Sequence, residues 1–160
     1  MSRDIYIKML QFNWVGLVDS PRIFYSRFAH VEVAHIMNNG KSILYVEDNL
    51  ENRILILRIL NAEGYSVLFA ENATQALSAI SEQNFDLILM DINLPDIDGY
   101  TLTANLRENP KTYGVPIIAL TANVMRGDRE KSLEAGCDGY IQKPVDVDAL
   151  PKQIEMYMKR

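Results

Sequence analysis

Ser42-Ile43-Leu44-Tyr45-Val46-Glu47-Asp48 and Leu87-Ile88-Leu89-Met90-Asp91 are two apolar runs that each break off at acidic residues. Neither alternates polar with apolar positions along its apolar part. Runs of that kind suit strands covered on both faces, as in a parallel sheet between helix layers. Two further runs behave alike: residues 116–120 lead into Thr121, and Tyr140-Ile141 lies just ahead of Lys143. In an open α/β sheet the carboxyl ends of parallel strands open onto one crevice, where ligands bind. The reading therefore brings two adjacent acids, a lone aspartate, a hydroxyl and a lysine to one place.

Helical periodicity fills the intervals. Ile54, Leu57 and Leu60 recur at helical spacing until Gly64, a C-terminal stop. After a short strand over 67–70, Ala73, Ala76, Leu77 and Ile80 mark an amphipathic helix with Asn72 as its cap. The pattern predicts helices over 101–107, 123–135 and 146–158, the last opening at an acidic cap, and strands over 117–120 and 140–141. Short right-handed crossovers make the economical arrangement a flavodoxin-like, doubly wound five-stranded parallel sheet of order 2-1-3-4-5 with five helices.

The chain has 160 residues and a net charge of -5, which is room for one ordinary domain with a full core. Residues 1–40 carry four Lys/Arg against three Asp/Glu, leaving 12 against 18 from Lys41 onward. An acidic domain repels nucleic acid, whose binding needs a basic stripe to displace phosphate counterions. Cys137 is the sole cysteine, so no intramolecular disulfide or cysteine metal cage forms and a reducing cytosol is compatible. It reads as a small buried residue.

A polar cluster, Met37-Asn38-Asn39-Gly40-Lys41, separates an irregular N-terminal extension (1–40) from the periodic domain (41–160). Residues 9–18 are too short and polar to span a bilayer and make a poor signal peptide. His30 and His35, five apart, do not stack on one helical face. Two readings of the first 36 residues stand. Either translation starts at Met37, or the segment is a docking or membrane-touching arm built on Phe12, Trp14, Phe24, Tyr25 and Phe28.

Leu44-Tyr45-Val46-Glu47-Asp48-Asn49, Leu89-Met90-Asp91-Ile92-Asn93-Leu94-Pro95, Ala119-Leu120-Thr121-Ala122 and Gly139-Tyr140-Ile141-Gln142-Lys143-Pro144 together resemble the receiver domain of two-component response regulators. The stretch from Thr121 through Asn123-Val124-Met125 to Asp128 is nearest to stand-alone receivers of the cell-polarity type and to receivers of hybrid kinases. The resemblance implies that Asp91 accepts a phosphoryl group as an acyl phosphate, a nucleophilic role open to a carboxylate. It also implies that Mg²⁺ is bound directly by Asp48 and Asp91, through the backbone carbonyl of Asn93, and mostly through water by Glu47. Hard oxygen donors suit that ion.

On the same analogy, Lys143 neutralises a phosphoryl oxygen and pairs with Asp91 beforehand, and Thr121 donates its hydroxyl to another. The Lys143-Pro144 bond is expected to be cis. Tyr140 occupies a switch position together with Thr121. Burial of its ring is worth about 1.5–3 kcal/mol, enough to bias a two-state equilibrium by roughly one or two orders of magnitude. Asn93 and Asn123 flank the site, where they position or exclude hydrolytic water.

The implied function is that of a cytoplasmic single-domain response regulator. It is phosphorylated on Asp91 by a histidine kinase or phosphotransfer protein and signals through protein contacts, as a monomer or a phosphorylation-dependent dimer, without nucleic acid or membrane. It is not an enzyme, although it assists its own phosphorylation and dephosphorylation. Asp91-Ile92-Asn93 lacks the second aspartate of haloacid-dehalogenase-type phosphatases. Two rival readings are a phosphorylation-independent pseudo-receiver that binds protein and a small α/β enzyme. The second lacks a glycine-rich phosphate loop, since Glu47-Asp48-Asn49-Leu50 is acidic where amides and positive charge are needed.

Overall fold

The computed structural model describes residues 40–122 and 126–159. The expectations for His30, His35, the aromatic N-terminal residues, Met37 and Asn123 lie outside the described residues. Five strands, β1 (Ser42–Val46), β2 (Ser66–Ala70), β3 (Leu87–Asp91), β4 (Ile117–Thr121) and β5 (Gly139–Gln142), form one sheet. Its order is β2-β1-β3-β4-β5, and every neighbouring pair is parallel. Among the described residues the helices are α1 (Leu50–Ala62), α2 (Ala73–Glu82), α3 (Gly99–Glu108), α4 (Arg126–Glu134) and α5 (Leu150–Met158). The expected topology is the observed one.

Alternate residues of the central strands feed two separate cores, as the period of two requires. Leu44, Val46, Ile88, Met90, Ile117 and Ala119 pack with Ala76 and Ile80 of α2 and Leu102 and Leu106 of α3. Ile43, Tyr45, Leu87, Leu89, Ile118 and Leu120 pack with Ile56 and Leu60 of α1 and Leu150 and Ile154 of α5. Both faces of β1, β3 and β4 are thereby covered, which accounts for their lack of alternation. Cys137 is buried in the first core, where its thiol lies 3.9 Å from Thr103 Oγ1. Burial pushes that thiol's pKa up, which makes it unreactive.

Local signals close the elements where the chemistry asks. Asn72 Oδ1 accepts from Gln75 N at 2.9 Å. After α1, Gly64 adopts φ +85°, with Gly64 N bonding to Asn61 O and Tyr65 N to Leu60 O. That is the paired 5→2 and 6→1 arrangement of a helix ended by a left-handed glycine.

Three expectations shift. The buried face of α1 is Arg53, Ile56 and Leu60, while Ile54 is exposed and Leu57 half-buried. This helix carries apolar residues nearly all round, so periodicity alone does not fix its rotation. In α2 likewise, Leu77 faces out and Ala79 in. Helix α5 begins at Leu150 rather than Asp146, whose Oδ1 instead accepts from Asp148 N and Ala149 N in a preceding turn. Pro151 has no N–H to give to the fourth residue back, so the regular helical ladder starts beside it.

Candidate functional site

Strands β1 and β3 are neighbours, with Val46 in register with Met90, so the acids that follow them emerge side by side. Oxygens of Glu47, Asp48 and Asp91 lie within 4.8 Å of one another. Glu47 and Asp91 are buried and Asp48 is exposed. Lys143, just past β5, extends its ammonium to both buried acids, with Nζ 2.8 Å from Glu47 Oε2 and 2.9 Å from Asp91 Oδ2. The turn that carries it is held to β4 by Lys143 N donating to Thr121 O at 2.8 Å, and the Lys143-Pro144 peptide is cis, as expected.

The neighbours of the two buried acids divide their roles. Glu47 Oε2 accepts from Tyr45 Oη at 2.8 Å as well as from Lys143, and Glu47 Oε1 accepts from Asn49 N at 3.3 Å. Asp91 Oδ1 accepts from Asn93 N at 3.1 Å. Behind Asp91 the backbone is crowded: Gly99 N donates to Ile92 O at 3.1 Å, and a Cβ on Gly99 would sit 2.4 Å from Asp91 O. Only glycine lets α3 start this close to the end of β3.

Electrostatically, burial alone would raise Glu47, but hydrogen bonds from Lys143, Asn52 and Tyr45 outweigh it and hold its pKa below the ordinary 4.5. Asp91 goes the other way: burial, reinforced by the Glu47 charge, lifts it above the ordinary 3.8 despite Lys143 and the Asn93 amide. Burial works against the Lys143 ammonium, but its two carboxylate partners outweigh that and raise its pKa. Tyr45 is pushed well up by desolvation and then by Glu47, so its hydroxyl stays a donor. Three carboxylates face one ammonium, and the excess negative charge of hard oxygen donors fits a small divalent cation such as Mg²⁺.

Of the residues singled out from sequence, Glu47, Asp48, Asp91 and Lys143 converge, and Asn93 joins them through its amide. Thr121 is buried at the carboxyl end of β4, one residue past the partner of Asp91. Tyr140 is half-buried against the first core, in register with Ala119. Lys143 was expected on Asp91 and bridges to Glu47 as well. Sequence reasoning missed three contributors. Tyr45 looked like a core strand residue, and it is one, with only its hydroxyl committed to the site. Asn49, whose side chain caps α1 by accepting from Asn52 N at 3.0 Å, carried a legible capping signal. Arg53, buried one turn into α1, left no signal.

The receiver-domain family model, described as "Response regulator receiver domain", matches residues 43–155. The chain belongs to this family. It is a two-component response regulator, in which a receiver aspartate accepts a phosphoryl group. Among its relatives, the polar-differentiation response regulator DivK of Brucella anthropi is 38% identical over 118 residues, covering 74% of this chain and 96% of that protein. The receiver domain of sensor histidine kinase PA1611 from Pseudomonas aeruginosa, solved with a magnesium ion coordinated in its active-site cleft, is 40% identical with a TM-score of 0.70. That likeness covers 76% of this chain and 99% of that one. Chemotaxis protein CheY4 of Vibrio cholerae gives a TM-score of 0.71 at 25% identity, over 73% of this chain and 98% of its own. Among the described residues, no helix is long and apolar enough to cross a membrane.

Proposed function

We propose that Asp91 is the phospho-acceptor of a single-domain response regulator, loaded by a histidine kinase or phosphotransfer protein with Mg²⁺ present, and that the signal leaves through protein contacts in the cytoplasm. The observation that carries this reading is the ammonium of Lys143 lying within 3 Å of Asp91 Oδ2 and Glu47 Oε2 at the edge of a three-carboxylate cluster. By analogy with the family, Asp48, Asp91 and the Asn93 carbonyl would hold the ion, with Glu47 acting mostly through water; Glu47 already accepts three hydrogen bonds. When bound, Mg²⁺ offsets the charge of the carboxylates and of the incoming phosphoryl oxygens.

The residues then divide the work. A carboxylate oxygen of Asp91 attacks the phosphorus of a phosphohistidine. The O–P bond forms as the N–P bond breaks, and the released imidazole nitrogen takes up a proton. Lys143, freed from a carboxylate that has become a neutral acyl group, turns its charge to a phosphoryl oxygen, and the Thr121 hydroxyl takes another. Movement of Thr121 draws the half-buried Tyr140 ring inward and so alters the surface around α4, β5 and α5. The protein assists its own phosphorylation and the hydrolysis of its own acyl phosphate, and is not otherwise an enzyme.

Incubation with Mg²⁺ and acetyl phosphate is expected to add one base-labile phosphate, and Asp91→Asn to abolish it. Equal labelling of that variant refutes the assignment. Absence of labelling in the wild type turns the reading to a phosphorylation-independent protein-binding module.

A further inference from the structure

Arg53 lies one turn into α1, directly behind the acid turn, and is 6% exposed. That burial is rare for an arginine without partners. Its Nη1 donates to the backbone carbonyls of Glu47 at 3.1 Å and Asp48 at 3.3 Å. Its Nη2 pairs with Glu71 Oε1 at 2.8 Å, just past the end of β2. The guanidinium also lies 5.2 Å from the centroid of the Phe69 ring on that strand. Among the described residues its Nε is buried with no hydrogen-bond partner, a cost that the other contacts must offset.

The fork of donors grips the main chain from which the Glu47 and Asp48 side chains project, while a carboxylate and an aromatic face hold the fork itself. We propose that Arg53 is a positioning residue for the divalent-ion site, fixing the β1–α1 turn so that Glu47 and Asp48 meet Asp91 at ligand distance. The proposal rests on the reading of that cluster as an Mg²⁺ site. Lysine does not replace arginine here, because its single ammonium cannot bond two carbonyls and a carboxylate in one plane while stacking on a ring.

Coulomb's law and positioning predict opposite signs, which makes the inference decidable. A guanidinium beside three carboxylates repels an entering cation, so deleting its charge should tighten Mg²⁺ binding if the field were all that mattered. If Arg53 holds the turn, deletion loosens the ligands and weakens binding, as loss of an outer partner of a metal ligand does by ~10–100-fold. Arg53→Lys separates the two further, because it keeps the charge and loses the fork.

The test is calorimetric titration of MgCl₂ into the full chain for wild type, Arg53→Met and Arg53→Lys, well below each melting temperature. Arg58→Met, an exposed arginine on the same helix, serves as the charge control. Thermal unfolding without metal is recorded alongside. The expected result is a Kd weakened about tenfold or more in both Arg53 variants, with Arg58→Met close to wild type. An Arg53→Lys protein that binds as wild type does, or an Arg53→Met protein that binds equally or more tightly, overturns the proposal even if both melt earlier. Should Arg53→Met not fold, Arg53→Lys decides by the same criterion. A wild-type chain that takes up no Mg²⁺ defeats the site reading itself, an outcome distinct from unchanged binding in the variants.

Discussion

Gly99→Ala should damage the acceptor strand although it adds one methyl group to a helix. Gly99 is the first residue of α3. Alanine is favoured over glycine within helices by roughly 0.5–1 kcal/mol, so on propensity alone the change would stabilise. The new Cβ, however, would lie 2.4 Å from Asp91 O, 2.8 Å from Ile92 Cα and 3.1 Å from Asp91 C, all backbone atoms that no rotamer change can move. Reaching ordinary contact requires about 1 Å of displacement between the start of α3 and the end of β3. Overpacking of that kind costs about 1–3 kcal/mol. The clash outweighs the propensity gain, and a net loss of up to about 2.5 kcal/mol lowers the melting temperature by as much as roughly 10 °C for a domain of this size. The strand end that must yield carries Asp91, so Mg²⁺ affinity falls with stability. Differential scanning calorimetry and metal titration measure the two effects. Gly114→Ala is the control, because its Cβ would meet nothing within 4 Å, and it should leave the melting temperature unchanged or slightly higher. A Gly99→Ala protein that melts at or above the wild-type temperature refutes the close approach of α3 to β3.

Other outcomes follow from the electrostatics of the site. The folded pKa of Asp91 is raised above 3.8, so the native state holds this proton more tightly than the unfolded chain, and the carboxylate costs stability once pH rises through the folded value. Metal-free Asp91→Asn should therefore melt above wild type at neutral pH, with the gap closing in mild acid; melting curves that differ equally at both pH values would count against the cause. Glu47 has the opposite sign: its lowered pKa gives stability that is present above the ordinary 4.5 and is lost as pH falls through the folded value. Tyr45→Phe removes a hydrogen bond to a buried carboxylate, for which about 1.5–3 kcal/mol is typical, and should lower the urea midpoint at unchanged m-value. Retention of the wild-type midpoint would show that Lys143 and the Asn49 amide satisfy Glu47 without the Tyr45 hydroxyl.

The order of strands and the list of acids were legible because they depend on short-range grammar. Unbroken apolar runs report burial on both faces, helical spacing fills the gaps, and Gly64 and Asn72 terminate or cap by chemistry that acts within a few residues. Convergence of Glu47, Asp48, Asp91 and Lys143 then follows from parallel strands sharing one carboxyl edge. Rotation of α1 was not legible, since its apolar residues leave no polar face to orient it. Nor was the start of α5, where Asp146 offered a good cap but Pro151 broke the ladder downstream.

What the sequence determined by itself is the topology and the identity of the groups at the sheet's edge, since period and order along the chain dictate both. Tertiary structure alone decided their pairing: Lys143 shared between Glu47 and Asp91, the Tyr45 hydroxyl on Glu47, and Arg53 gripping the turn from behind. Those contacts depend on side-chain directions and on which helix face turns inward. Both are settled by packing among residues far apart in the chain, where an arginine on a helix carries no mark to tell a buried clamp from a solvated charge.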